Sequence, residues 1–418
     1  MTKELVALLV LYYGITTISG GLIFAWRFPQ LNRDSLAGAF IGFGAALLGF
    51  GVIGLLALWY LTPIKQIAFA GVGELNEERK GAYKIANNVL WGMGAFAFMW
   101  ILLFLLALNT EPSRFLIVVA GGLYEGMLIF LVAAGLSIIF GLMDVLNLAQ
   151  GATFTIGAYI TWAIYTGLDD WRTTTAGVAL ALLLGLVIAT LSGGVLGFVV
   201  ERALIRPTYS RPFFQIVLTF GLAEVIRRII IAQYGTEGRS NINLRLKDGT
   251  DTFLTGLFPG TSIQNYWLFM ILMGLIMMFG VQYLLQNTRI GIIIRAGVQD
   301  SEMVEALGIN VRLIFTLVFA LGSAVAALGG GVAIGFLPPT PVLGDAFLLQ
   351  AIAVVIVGGL GSYSGTAIAA MVIGITGRII GHFAFVEFNA EALGSSAVLL
   401  ILILVLYVKP TGLFGQAH

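Results

Sequence analysis

Asp300, Glu302 and Glu305 are three carboxylates in one polar stretch, Asn287–Asn310, set between two long apolar runs. Their setting suits docking rather than catalysis. Asp300 can cap a short helix, Ser301 and Glu302 put polar and acidic groups at the positive end of its dipole, and Gly308 can close it in a left-handed turn. About two turns result. Met303, Val304 and Leu307 would then line an apolar face. A chain this hydrophobic carries such a helix in a connection when something outside the bilayer presses on it. Arg295, Asp300, Glu302, Met303, Val304, Glu305, Leu307 and Gly308 are therefore the predicted contact with a cytoplasmic partner.

Two further places break the apolar pattern, in separated parts of the chain. Asp144–Gly151, DVLNLAQG, interrupts one run with Asp144, Asn147 and Gln150. Gly358–Gly365, GGLGSYSG, separates two short runs. Freed backbone groups are costly in hydrocarbon unless protein buries them or they line a cavity, and a pair of interrupted helices marks a midplane path. Asn147, Gln150, Gly151, Gly358, Gly359, Gly361 and Ser362 are the candidate path residues. Two bland readings stand beside this one. Glycines also permit close helix packing, as in Gly193/Gly197 or Gly331/Gly335, and Asn147 and Gln150 can tie helices together.

Composition sets the class. The chain is 59% hydrophobic and 10% charged, with a mean hydropathy of +0.99, and its apolar runs reach about 20 residues. A soluble fold is excluded, and continuous rather than alternating runs exclude a barrel. The expected fold is all-α, a polytopic transmembrane helical bundle of about ten spans plus a glycine-broken re-entrant pair. The candidate spans are Leu5–Trp26, Ala37–Leu61, Val89–Ala107, Phe115–Leu142, Ala152–Tyr165, Gly177–Val200, Gln215–Gln233, Tyr266–Leu285, Leu313–Phe336 and Ala397–Val408. The broken pair is Phe347–Val357 with Thr366–Ile380. Lys3, Lys65, Arg79, Lys80 and Lys84 outweigh Arg27, Arg33 and Arg114 across the first spans, which puts the amino terminus in the cytoplasm; if Phe347–Ile380 enters and leaves by the outer face, the carboxyl terminus falls there too.

Enzyme chemistry finds no support. Cysteine is absent and the two histidines, His382 and His418, stand far apart, so neither a thiolate nor a histidine metal cluster is available. There is no HExxH, no GxxxxGK[ST] phosphate loop and no serine with a nearby histidine base. No catalytic residue, metal or cofactor is expected, and any ATP is hydrolysed by another chain. A net charge of +1 without a basic tract argues against nucleic acid. A passive channel or structural membrane subunit lacks any need for a motor-docking helix, which favours an energised transporter.

From about Pro112 onward the chain resembles the permease subunit of Liv-type, high-affinity branched-chain amino acid ABC importers. The resemblance is carried in order by GLSIIFGLMDVLNLAQGATFTIGAY at Gly135–Tyr159, ERALIRP at Glu201–Pro207, IGIIIRAGVQDSEMVEALGIN at Ile290–Asn310 with FALGSAVAALGG after it, GGLGSYSGTAIAAMVIG at Gly358–Gly374, and KPTGLFG at Lys409–Gly415. It implies a permease in a bacterial or archaeal cytoplasmic membrane, working with two cytoplasmic ATP-binding-cassette subunits, a second permease subunit and a soluble substrate-binding protein. Branched-chain or related apolar amino acids are the implied cargo; urea, amides or aromatic acids are the alternative. Gln150 stands where the family usually has histidine. Residues 1–110, with three candidate spans, have no counterpart in the usual permease and are expected to form an extension outside the permease domain, residues 111–418.

Overall fold

The computed structural model describes residues 6–8, 10–14, 99–209, 211–240, 242, 265–299, 301–388, 392–408 and 412–414, and among these residues the regular structure is helical throughout. The chain divides into two compact units, Met1–Leu116 and Ile117–His418. In the first, helix α1 (Met99–Asn109) ends where Asn109 Nδ2 donates to the Leu105 carbonyl at 2.8 Å and Thr110 Oγ1 to that of Leu106 at 2.6 Å. These bonds occupy carbonyls that the last turn leaves free. Val6, Ala7 and Ala107 bury one another there, with Val10 and Phe104 packed alongside. The expected span Ala37–Leu61, most of Leu5–Trp26 and the start of Val89–Ala107 lie outside the described residues.

Helix α2 (Pro112–Met143) opens on the one residue whose missing N–H costs nothing at a helix start, and from Ile117 onward it forms the centre of the second unit. Met127–Ala134 are each at most 2% exposed, so apolar residues all round meet protein all round. Helices α3 (Gln150–Gly167), α4 (Thr175–Val200) and α9 (Val311–Ala333) pack tightly because small residues face each other. Gly157 and Gly193 both abut Ala327, and Gly330 lies against the backbone of Phe154. Thr174 Oγ1 caps α4 by accepting from Gly177 N at 3.1 Å, and the Asn310 side chain caps α9 from Leu313 N, also at 3.1 Å. Outside this group run α5 (Pro212–Tyr234) and α6 (Asn265–Asn287), a corner of α7 (Arg289–Gln299) and α8 (Ser301–Ala306), and then α10 (Leu343–Gly358), α11 (Tyr363–Phe388) and α12 (Ala392–Val408).

Among the described residues five helices are long and apolar enough to cross a membrane: Ser113–Met143, Ala176–Thr208, Asn265–Asn287, Val311–Ala333 and Tyr363–Val386. Helices α1, α10 and α12 are shorter apolar ones. Leu191, Val195, Phe220, Phe279 and Leu400 are each more than 60% exposed, an outer surface that only lipid or other apolar protein covers without cost. The protein is therefore a multi-pass, all-helical membrane protein. The glycine-broken pair differs from the two short arms expected. At 16 residues α10 is about 24 Å long, short of a hydrocarbon core of about 30 Å, whereas α11 has 26 residues and reaches about 39 Å. Only one arm is a half-helix.

Candidate functional site

The first break turns on Asp144, the one non-glycine with positive φ (+54°) among the described residues. From there the chain runs back into the bundle, so that Gln150, the first residue of α3, lies beside Gly135, which precedes the end of α2 by about two turns. Gln150 is fully buried and Asn147 is 2% exposed. Gln150 Nε2 donates to the Gly322 carbonyl of α9 at 2.9 Å, its Oε1 accepts from Asn147 Nδ2 at 3.0 Å, and Asn147 Oδ1 accepts from Ala149 N at 3.1 Å. Leu148 N reaches Thr219 Oγ1 of α5 at 3.2 Å. In this conformation the two amides tie α3 to α9. Gly151 meets the backbone of Gly344, whose N–H donates to Thr155 Oγ1 at 3.0 Å, so the starts of α3 and α10 touch.

The second break lies at the far end of α10. Gly359 and Gly361 take φ of +102° and +80°, values that only glycine adopts without strain. The carboxyl-terminal segment seals this turn: Leu413 N donates to the Val357 carbonyl at 2.8 Å and Phe414 N to that of Gly358 at 3.1 Å. Gly358 is buried against Gly365, while Gly361 and Ser362 line a cavity of about 560 Å³ together with Gly141, Gln286, Arg295 and Phe414. Asn147 and Gln150 are not among its lining residues.

That cavity joins the second break to the α7–α8 corner. Thr288 Oγ1 accepts from Gly291 N at 3.1 Å to start α7, and Gly291 fits because its missing side chain would strike the Leu284 and Leu285 carbonyls. Arg295 is exposed, with Nη2 3.3 Å from the Gln286 carbonyl. The helix expected to carry about two turns is Ser301–Ala306, closed at Gly308 (φ +82°) by Ile309 N bonding the Val304 carbonyl at 3.2 Å and Gly308 N that of Glu305 at 2.9 Å. Its outward face is narrower than Met303, Val304 and Leu307. Met303 is 59% and Leu307 72% exposed, but Val304 is 5% exposed, because adjacent residues point about 100° apart on a helix and Val304 falls on the inner side. Glu305 is exposed; Asp300 and the side chain of Glu302 lie outside the described residues.

One polar site escaped sequence reasoning. Glu201 is fully buried at the start of a π-helical turn, Glu201–Ile205, where α4 continues toward Tyr209. Its carboxylate accepts from Tyr209 Oη at 2.5 Å and from Thr316 Oγ1 of α9 at 2.6 Å. Burial first, then the bond to Glu201, pushes the Tyr209 hydroxyl well above the ordinary phenol range, so it stays protonated and donates. In sequence Glu201 is one acid in ERALIRP, a charged motif at the end of an apolar run, and nothing there distinguishes it from a solvated end. Replacing Glu201 by leucine should strand the Tyr209 hydroxyl at about 1–3 kcal/mol, whereas Thr316 Oγ1 still reaches the Arg312 carbonyl 2.9 Å away. The detergent-solubilised protein should melt several degrees lower, and Tyr209→Phe should cost less; equal melting of all three chains contradicts a structural role for this carboxylate.

Residues 118–407 match the family model for branched-chain amino acid transport system / permease component. Curated relatives agree. The chain is 25% identical over 317 residues to the high-affinity branched-chain amino acid transport system permease protein BraD of Pseudomonas aeruginosa, covering 73% of this chain and 97% of that protein. It is 25% identical over 310 residues to permease protein LivH of Escherichia coli, covering 71% and 94%. Permease protein LivM of the same organism is 25% identical over 319 residues, covering 70% and 69%. No solved structure matches. With the match running over the helices that hold both breaks and the α7–α8 corner, the chain belongs to the family of branched-chain amino acid transport permease components.

Proposed function

We infer that this chain is a membrane permease subunit of an ATP-binding-cassette importer and forms part of the path for branched-chain or related apolar amino acids. The family match over residues 118–407 carries the reading. It is a transport subunit, and partner subunits hydrolyse ATP. The α7–α8 corner, presenting Met303, Glu305 and Leu307, is the surface offered to a cytoplasmic ATPase, with Asp300 and Glu302 from the same stretch. Arg295 lines the same cavity as Gly361 and Ser362, so movement of the corner reshapes the space beside the second break. At the first break Asn147, Gln150 and Gly151 hold α3 against α9 and α10, and the path opens when those ties exchange partners. A second permease subunit and a soluble substrate-binding protein complete the importer; similarity to both LivH and LivM supports a paired pore. The amino and carboxyl termini lie in the cytoplasm. Residues 1–110 form a module distinct from the permease domain, a reading supported by the start of the family match at residue 118.

The test is uptake of labelled leucine by cells deprived of their own branched-chain transport and supplied with this chain and its partner subunits. ATP-dependent leucine accumulation is expected, both from the full chain and from one beginning at Glu111. Accumulation of urea or an aromatic acid in place of leucine overturns the cargo; failure of the shortened chain to bind its ATPases overturns the separate module.

A further inference from the structure

Helix α5 has 23 residues, about 34 Å, enough to cross the bilayer. Yet it carries Glu224, Arg227 and Arg228 well inside its length. They join Asp345, in the first turn of α10, in a chain of alternating sign: Arg228 Nε donates to Glu224 Oε1 at 2.7 Å, Arg227 Nη2 pairs with Glu224 Oε2, and Arg227 Nη1 donates to Asp345 Oδ2 at 3.2 Å. The depth is fixed by neighbours. Ile226 and Ile230 pack against Ala152 and Tyr159 of α3, and Gly344 lies on Gly151, so the cluster stands level with the first break and away from either end of the bundle. All four side chains remain open, at 36% for Glu224 and Arg227, 54% for Asp345 and 75% for Arg228. Charges held open at that depth face water, a polar guest or a neighbouring subunit, since lipid there costs about 2.5–3.5 kcal/mol or more for each.

The face beside them narrows the guest. Val217 and Phe220, 51% and 67% exposed, precede Glu224 at helical spacing on the same side of α5. The surface is thus an apolar strip leading into a cluster whose two guanidinium groups and two carboxylates cancel. A neutral, alternating cluster suits neither a bare anion nor a bare cation. It suits a molecule that carries both charges at one end and hydrocarbon at the other.

We propose that this cluster is a transit site for the head group of a zwitterionic apolar amino acid, a proposal that rests on the importer reading above. The α-carboxylate pairs with Arg227, whose planar fork donates to two oxygens at once. The α-ammonium pairs with Asp345 while Glu224 keeps Arg228, and the apolar side chain lies along Phe220 and Val217. Each ion pair seen now is exchanged for one of the same sign pattern, so the guest enters without leaving a charge unpaired. Because Asp345 belongs to α10 and the other three to α5, occupancy also bridges the two helices.

The complete transporter in proteoliposomes tests this with leucine as the probe. Arg227→Gln and Asp345→Asn should each lower leucine uptake about tenfold, the effect of losing one charge-assisted bond, while the ATPase subunits still copurify. The chain has no cysteine of its own, so Arg228→Cys introduces a single thiol. A hydrophilic thiol reagent should modify it, and saturating leucine should slow that reaction severalfold. A thiol that never reacts means the face is covered by lipid or by the second permease, and one that reacts at a rate leucine leaves unchanged means a wet seam with no guest; either result overturns the site. If the wild-type complex moves leucine and both charge variants move it equally well, this site fails alone. If the wild type moves no apolar amino acid, the importer reading fails and takes the site with it.

Discussion

Reversing Glu302 and Glu305 to lysine should abolish ATP-driven leucine uptake while the protein still inserts and the ATPases still turn over. Both residues belong to the α7–α8 corner, whose outward side combines exposed Glu305 with Met303 at 59% and Leu307 at 72% exposure. Such exposed apolar groups, with Glu305 beside them, are what the proposed docking to an ATPase would cover. Close charge pairs across protein interfaces couple by about 1.5–7 kcal/mol, and a reversal replaces attraction with repulsion. Even the lower figure, applied at two positions, reduces docking by more than about a hundredfold. The measurement is uptake and ATPase activity in the same proteoliposomes. Undiminished uptake in the double variant would sink the docking assignment, whereas weaker retention of the ATPase subunits on purification is the expected accompaniment of lost docking.

The second large effect is expected at Gly151. A Cβ there would stand 2.6 Å from the Gly344 carbonyl oxygen, 3.0 Å from its carbon and 3.1 Å from Leu348 Cβ. Two of these three neighbours are backbone, so relief requires the starts of α3 and α10 to move apart. That movement stretches the bond from Gly344 N to Thr155 Oγ1, now 3.0 Å, and the Phe154–Phe347 ring pair, whose centroids are 5.1 Å apart. Overpacking of this kind costs about 1–3 kcal/mol and more where the backbone is the obstacle. Gly151→Val should therefore melt well below wild type in detergent and lose most leucine uptake. A stable, active valine variant would mean that α3 and α10 separate freely during transport and that the contact is incidental.

Much of the bundle was legible because long apolar runs leave few choices in lipid. Phe115–Leu142 corresponds to Pro112–Met143, and Gln215–Gln233 to Pro212–Tyr234; what the sequence could not supply was where a run ends. Thr366–Ile380 stopped short of Phe388 because glycine and a histidine follow it, but in the fold Gly377 and Gly381 let Gly394 of α12 approach, so those glycines extend a seam rather than end a helix. Helix α7 was missed because Gly291 and Gly297 argue against helix by propensity, whereas the tight corner after α6 needs Gly291. The polar residues were legible as exceptions and illegible as partners. Asn147 and Gln150 stood out in an apolar run, yet their link to Gly322 spans a separation that no local pattern encodes. Glu224, Arg227 and Arg228 sat unremarked in a candidate span because charge at a helix end and charge in a membrane look alike until depth is known.

The π-helical turn at Glu201–Ile205 is a matter of counting. Arg206 N bonds back five residues to the Glu201 carbonyl, where an α-helix bonds back four. One residue is therefore carried outside the regular ladder, and everything after it is turned by about 100° relative to an unbroken helix. That rotation brings Tyr209 round to meet the carboxylate that opens the turn. The arrangement is specified by winding as much as by identity: with every side chain kept but this turn wound as plain α-helix, Tyr209, eight residues on, would stand about 80° round the helix from Glu201. The site is thus written partly as a phase, a kind of information held in the winding of the turn and in neither side chain alone.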